Sequence, residues 1–303
     1  MKAVRIHEYG GPEKLLYEDD VPDPPLARDA VLIKTVATSV NPIDWKIRSG
    51  ARQKDFPVSF PAILGRDVSG VVHAIGPDVR NVKQGDRVVA FSNATYAEFV
   101  AVAGSLVTHL PDGLDLADAA AIPLIALTAD QLVRHTTGVQ SGQTVVVTGA
   151  LGSVGRAAVH AAKKLGAHVI AGVRTRQLPA ARALGAADVV ALDDDAAIDK
   201  LSVDAVADTV GGEVAVKLLA TVKAGGRFGY ASVLPEGAAA RYPQVKVARV
   251  FAQSDPSKVR EFLDDTRDGK FVLPIGRRLA LRDAAEGHRL GEKGGVGKIL
   301  LVV

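Results

Sequence analysis

Residues 144–155 read Thr144-Val-Val-Val-Thr-Gly-Ala-Leu-Gly-Ser-Val-Gly155. Three valines between two threonines predict a short buried strand. The run Arg156–Leu165, Arg-Ala-Ala-Val-His-Ala-Ala-Lys-Lys-Leu, predicts an amphipathic helix. Strand, glycine turn and helix in succession form the context in which a glycine pattern acquires meaning. Gly149 permits a tight turn out of the strand. Gly152 lets backbone N–H groups approach a pyrophosphate, and Gly155 lets the helix lie close to the strand. In the pattern G-x-G-x-x-G, Ala150 stands where the first glycine is expected. The stretch Gly149, Ala150, Gly152, Ser153, Val154 and Gly155 is thus the expected phosphate cradle, fronted by the N–H groups and positive dipole end of a helix.

The chain around it alternates in the same way. Ala167–Val173 reads as a second strand, Leu178–Leu184 as a helix and Ala187–Leu192 as a strand. Val203–Gly212 is a strand running into a glycine turn, Glu213–Val222 a helix, and Gly225–Ser232 and Val245–Ala252 are further strands. Alternating strands and helices predict a doubly wound parallel sheet. Right-handed crossovers bring the strand ends, with Val210, Gly211, Ala231 and Ser232, to the edge that holds the glycine turn.

Cofactor choice is read about 20 residues beyond the glycines, where an acid holds the ribose 2′-hydroxyl in NAD-preferring sites. No Asp or Glu occurs between Arg156 and Ala187, and Arg174-Thr175-Arg176 follows the strand directly. Two guanidinium groups suit a 2′-phosphate, each charge-assisted bond being worth about 1.5–3 kcal/mol. NADPH is therefore the expected cofactor.

Residues 1 to about 120 differ in character. Ala30–Thr38, Val68–Ile75, Asp86–Phe91, Tyr96–Val102 and Leu106–Leu110 predict short strands separated by Pro, Gly, Asn and Asp, as in a small β-barrel. Within them, Ser39-Val-Asn-Pro-Ile-Asp-Trp-Lys-Ile-Arg-Ser-Gly50 reads as a turn and a short helix. Arg66 and Asp67 read as an ordinary surface pair. Leu124–Arg134 predicts a helix with Thr128 and Asp130 as its polar members. Toward the end come a helix over Pro256–Gly269, another over Asp283–Lys293 and a strand from Lys298.

Composition narrows the function. The chain has 303 residues, 48% apolar and 23% charged, enough for two domains of ordinary soluble character. There are no cysteines, which removes disulfides, thiol nucleophiles and thiolate zinc sites. The seven histidines show no ligand spacing, so no metal is assigned. No apolar run suggests a membrane span and no signal peptide is visible, so a cytoplasmic location is expected. A net charge of +3 with scattered Lys and Arg suits a polyanionic small ligand and gives no reason to expect nucleic acid.

Several motifs together resemble one family. They are Asn41-Pro-Ile-Asp-Trp-Lys-Ile-Arg-Ser-Gly, Gly65-Arg-Asp-Val-Ser-Gly-Val-Val, Gly85-Asp-Arg-Val, Leu127-Thr-Ala, Thr148-Gly-Ala-Leu-Gly-Ser-Val-Gly, Val203-Asp-Ala-Val-Ala-Asp-Thr-Val-Gly-Gly and Gly294-Gly-Val-Gly-Lys-Ile. The chain resembles zinc-independent medium-chain dehydrogenase/reductases of the zeta-crystallin-type quinone oxidoreductase group. The resemblance implies an α/β architecture: a GroES-like β-barrel catalytic domain over residues 1–122 and 256–303, and a Rossmann doubly wound parallel sheet over 123–255. It places Asn41, as catalytic residue, and Thr128 near the nicotinamide, adds Lys298 to the cofactor contacts, and lines the substrate cleft with Lys46 and Arg52, where some relatives carry tyrosines. Arg66 stands where zinc-dependent relatives carry a histidine. The expected activity is NADPH-dependent reduction of quinones or α,β-unsaturated carbonyls, with Tyr230 and Tyr242 as unsupported proton donors. Rivals are an enoyl-thioester reductase of the same architecture and an NADPH-binding protein with a regulatory or nucleic-acid-binding role. The family also implies a homodimer through the edge strand Val245–Phe251.

Overall fold

The computed structural model describes residues 1–303, which divide into two units, residues 1–124 with 254–303 and residues 125–253. In chain order the first unit begins with β1 (Ala3–Ile6), β2 (Leu16–Glu18), β3 (Ala30–Val40), α1 (Pro42–Arg48), β4 (Ala62–Ile63) and β5 (Asp67–Ile75). β6 (Arg87–Phe91), β7 (Phe99–Ala103), β8 (Val107–His109) and the single turn α2 (Leu116–Ala119) follow. Helix α3 (Pro123–Gln131) leads into the second unit and passes into a π-helical turn, Leu132–Thr137, that ends at Gly138 with φ +59°.

The second unit alternates as far as β13, and β14 follows without an intervening α-helix: β9 (Thr144–Thr148), α4 (Ser153–Lys164), β10 (His168–Val173), α5 (Leu178–Arg182), β11 (Asp188–Ala191), α6 (Asp195–Ile198), β12 (Val203–Asp208), α7 (Gly212–Leu219), β13 (Val222–Tyr230) and β14 (Lys246–Arg249). The chain then returns to the first unit with α8 (Pro256–Arg267), β15 (Ile275–Ala280), α9 (Ala284–Lys293) and β16 (Lys298–Val302).

All pairings in the second unit are parallel, in the order β11-β10-β9-β12-β13-β14. Counting from β9, this is the 3-2-1-4-5-6 order of dinucleotide-binding sheets, and its direction reverses between β9 and β12. Helices on both faces explain why Val145, Val146 and Val147 are all fully buried and why β9 reads as an unbroken apolar run. Val146, Val206, Leu218, Leu219 and Phe228 share one core cluster.

In the first unit β3 is the long central strand, paired antiparallel with β5, β7 and β16. Its inward face joins Val68, Val72, Val88, Val100 and Val102 in a valine-rich core, as β-branched residues on a pleated surface favour. β16 closes the sheet beside β3, which is why the last strand of the chain belongs to the first domain.

Some expectations shift. Helix α4 begins at Ser153, three residues before the expected start, because Gly152 is already its N-cap. α2 and α6 were not foreseen; each is a single turn capped by an aspartate, Asp115 or Asp194. One helical run, Leu116–Thr137, is long and apolar enough by length and composition to cross a membrane. Most of it is buried in the fold, as a core helix is.

Candidate active site

In the second unit the candidate cofactor site lies where the strand direction reverses. Gly149 leaves β9 with φ +59°, and a Cβ there would lie 2.7 Å from the Thr209 hydroxyl. At Gly155 a Cβ would come within 2.1 Å of the Gly149 carbonyl oxygen, so only glycine lets α4 start against the strand end. A Cβ at Gly152 meets only that same oxygen, at 3.1 Å, and otherwise projects into open space over the helix start. No side chain caps this helix and its first turn has no acidic residue. Its orphan N–H groups, including those of Ser153 and Val154, are left to a ligand. Arg156 ties the turn by donating from Nε to the Leu151 carbonyl at 3.1 Å. Ala150 is wholly buried and its N–H bonds the Gly172 carbonyl at 3.2 Å, so it packs the turn and leaves the phosphate contacts to its neighbours.

A buried latch joins β9 to β12. Thr148 donates its hydroxyl proton to Asp208 at 2.7 Å, and Asp208 also accepts from the N–H groups of Val210 and Gly211. Burial raises the Asp208 carboxyl above its ordinary range, against the hydrogen bonds from these three donors. Thr209 returns two bonds to Thr148, of 2.8 and 2.7 Å. Ser232 donates to the Val210 carbonyl at 3.0 Å, and Ala231 N–H to the Asp208 carbonyl at 2.8 Å. Val210, Gly211, Ala231 and Ser232 thus come together on one edge with the glycine turn.

Arg174 and Arg176 lie exposed in the turn after β10, and neither guanidinium makes a hydrogen bond in the protein. Beside them stands an acid from beyond residues 156–187. Asp193 Oδ1 accepts from both the N–H and the hydroxyl of Thr175, at 2.6 and 2.7 Å. Those bonds, with the Arg174 charge, hold its carboxyl below the usual range. It arrives there because β10 and β11 pair in parallel, which sets their following loops side by side. Thr128 lies half-buried on α3. Tyr230 and Tyr242 pack against the apolar core, which accounts for both without a proton-donor role.

The first unit holds a buried polar network of its own. Arg48 donates from Nη1 to His288 Nδ1 at 3.0 Å, from Nε to the Gly10 carbonyl at 3.1 Å and from Nη2 to Glu292 at 2.5 Å. A guanidinium can only donate, so His288 Nδ1 accepts and its proton sits on Nε2. Nε2 then donates to the Tyr96 hydroxyl at 3.1 Å, and Tyr96 donates to Asp44 Oδ2 at 3.0 Å. Asp44 Oδ2 also accepts the Asn41 N–H at 2.8 Å, while its Oδ1 is buried without a partner. Burial pushes the Asp44 carboxyl up to about 7 and, with the Arg48 charge, pushes His288 down to about 3.

A second branch centres on Asp67. It accepts from the Ser39 hydroxyl, from Asn41 Nδ2 at 2.8 Å and from the Leu124 N–H at 2.7 Å. Lys298 Nζ donates to Asn41 Oδ1 at 2.6 Å and lies 3.7 Å from Asp67 Oδ2. Burial lowers the Lys298 ammonium, with Asp67 and Asp44 opposing.

One expected residue gains its surroundings here, and one expectation changes. Asn41, expected at the nicotinamide, is 2% exposed with both ends of its carboxamide engaged inside the protein. It caps α1 and positions Asp67 and Lys298, and the Lys298 head group is buried with it. Asp67 is fully buried with those partners, so the expected Arg66–Asp67 surface pair does not form; Arg66 instead stacks over Phe56, 5.0 Å from the ring centroid. Lys46 is half-buried in the last turn of α1 and Arg52 half-buried on the turn that follows the helix. No three His, Asp or Glu side chains gather as a metal site.

Residues 27–112 match the alcohol dehydrogenase GroES-like domain family, and residues 184–301 the zinc-binding dehydrogenase family. A chloroplast envelope quinone oxidoreductase homolog of Arabidopsis thaliana is 37% identical over 199 residues, which are 63% of this chain and 60% of that protein. The chain thus aligns with less than two thirds of that curated relative. A quinone oxidoreductase structure from Coxiella burnetii superposes over 100% of this chain and 99% of its own, with TM-score 0.90 and 29% identity. An NAD-dependent alcohol dehydrogenase structure matches over the full length of both chains at 30% identity and TM-score 0.86. A mycobacterial protein solved with NADPH matches over both full lengths at 28% identity and TM-score 0.85. The glycine turn at the sheet's reversal point, the last strand paired into the first unit's sheet and these full-length matches agree: the chain belongs to the medium-chain dehydrogenase/reductase family, in its quinone oxidoreductase group.

Proposed function

We propose that this protein reduces quinones or α,β-unsaturated carbonyls with NADPH, by hydride transfer and without zinc. One observation carries the reading: an uncapped glycine-turn helix start, followed by two exposed arginines whose guanidinium groups bond nothing in the protein. The turn fits a pyrophosphate, because Gly152 keeps the space over the helix start free of side chain. Arg174, Thr175 and Arg176 fit a 2′-phosphate. The relatives named quinone oxidoreductase support the reaction class, and the NADPH complex supports the cofactor. Bound NADPH supplies the hydride.

The residues of the zinc-binding relatives' site do not fit a metal here. The chain has no cysteine, Arg66 brings a positive charge, and Asp67 is fully engaged. The negative charge that develops on the acceptor oxygen must then be met by hydrogen-bond donors. The buried Asp44–Tyr96–His288–Arg48 chain fixes the helix from which Lys46 projects, and the Asn41–Asp67–Lys298 set fixes its N-terminus.

Stopped-flow NADPH oxidation with 1,4-benzoquinone, 9,10-phenanthrenequinone and an alkenal tests the reaction. Turnover with at least one is expected; none with any of them would sink the proposal. Cofactor choice has a separate test. Arg174→Ala with Arg176→Ala is expected to raise the Kd for NADPH about tenfold or more and to leave that for NADH nearly unchanged. Equal losses would show that the arginines do not read the 2′-phosphate. Asp193 opposes the same phosphate by like-charge repulsion. Asp193→Asn is expected to tighten NADPH about threefold without tightening NADH, and the two titrations side by side would expose any other pattern.

A further inference from the structure

The turn after α1 gathers positive charge. Arg52 N–H bonds the Lys46 carbonyl at 3.1 Å and Phe56 N–H bonds the Arg52 carbonyl at 2.8 Å, so Lys46, Arg52 and Phe56 lie on one tight coil. The Arg52 side chain is 16% exposed; its Nη2 lies 2.8 Å from Asp55 Oδ2, and its Nε is buried with no partner. Lys46 is half-buried, its ammonium makes no hydrogen bond, and burial with the Arg52 charge holds it below the usual range. Arg66, also half-buried, covers the Phe56 ring and makes no side-chain hydrogen bond. The two carboxylates whose fields reach it, Asp44 and Asp67, are fully buried and hydrogen-bonded to other groups. Asp55 is thus the one surface acid on this coil, set against three cations.

Partly burying cations with few or no hydrogen-bond partners is unfavourable, and an anion seated among them reduces the penalty. We propose that Lys46, Arg52 and Arg66 form an anion subsite, and that the substrate is a conjugated carbonyl compound bearing a carboxylate. The identity of that substrate rests on the reductase reading above; the subsite itself does not.

The test compares an acid with its neutral ester. Calorimetric binding of 3-benzoylpropionate and of its methyl ester needs no turnover. The acid is expected to bind about tenfold more tightly, with the advantage shrinking as salt rises. Arg66→Gln and Lys46→Gln, each checked for a native circular dichroism spectrum, are each expected to reduce the acid-to-ester ratio to near one. NADPH oxidation with trans-3-benzoylacrylate and its methyl ester then reads the same ratio in KM. Equal binding of acid and ester, or a preference that survives both variants, overturns the subsite. Preferential binding of the acid with no oxidation of NADPH by either enone upholds the subsite and overturns the reductase reading. Turnover of both enones with equal KM does the reverse.

Discussion

Gly155→Val is expected to abolish measurable dinucleotide binding and to destabilise the second unit by about 3 kcal/mol or more. The ideal Cβ at this position stands 2.1 Å from the Gly149 carbonyl oxygen and 2.9 Å from the Ala150 Cα. Both obstacles are backbone, so no rotamer change relieves them, and α4 would have to lift away from β9. Gly149 cannot give way easily, because it sits at φ +59° with Thr209 packed over it. Gly152→Val provides the contrast. Its Cβ meets a single oxygen at 3.1 Å, so the expected loss of stability is below about 1 kcal/mol. Its side chain would still occupy the space over the helix start, so NADPH affinity is expected to fall about tenfold or more. Thermal melts beside NADPH titrations separate the two. If Gly155→Val melts and binds like the parent protein, the turn does not carry the role assigned to it.

Substitution of either titrating group in the buried network is expected to unmask the pH dependence of stability set by the other. The Asp44 carboxyl titrates near 7 in the folded chain, well above its unfolded value near 4. Between those values the folded state holds the proton that the unfolded state has lost, so this group's contribution falls as pH rises from about 4 to 7. His288 does the opposite. Its folded value is about 3 against 6.5 unfolded, so its contribution rises with pH from about 3 to 6.5. Each full proton difference changes stability by about 1.4 kcal/mol per pH unit, and the two slopes nearly cancel across the shared window. His288→Gln is expected to leave a protein whose urea midpoint falls between pH 4.5 and 6.5, and Asp44→Asn one whose midpoint rises over that range. Flat profiles for both variants would show that neither group is held in the protonation state the network imposes.

The nucleotide half was largely readable because its determinants are local. Thr144–Gly155 contains the strand, the turn and the helix start in twelve consecutive residues, and each glycine's role follows from its neighbours. Asp193 escaped because it lies eighteen residues after Thr175, brought there by the pairing of β10 with β11. The catalytic half was legible only as motifs. Arg48 meets His288 across 240 positions and Asn41 meets Lys298 across 257, contacts that no spacing rule reports. One local signal was available: Asn41 followed three residues later by Asp44 is a capping pair, and it marks Asn41 as the start of α1. Arg66 and Asp67 show the limit of adjacency. Arg66 lies in the bend before β5 and Asp67 opens the strand, so Asp67 is buried in the polar network while Arg66 stacks on Phe56.

The central claim is direct hydride transfer from NADPH to an electron-poor carbon. NADPH deuterated at nicotinamide C4, on either face in separate preparations, would be oxidised by the enzyme with trans-3-benzoylacrylate or an alkenal, and the product analysed by mass spectrometry and NMR. One preparation is expected to place a single deuterium on the β-carbon of the product. Deuterium lost to solvent from both, or NADPH left unconsumed, would contradict the account.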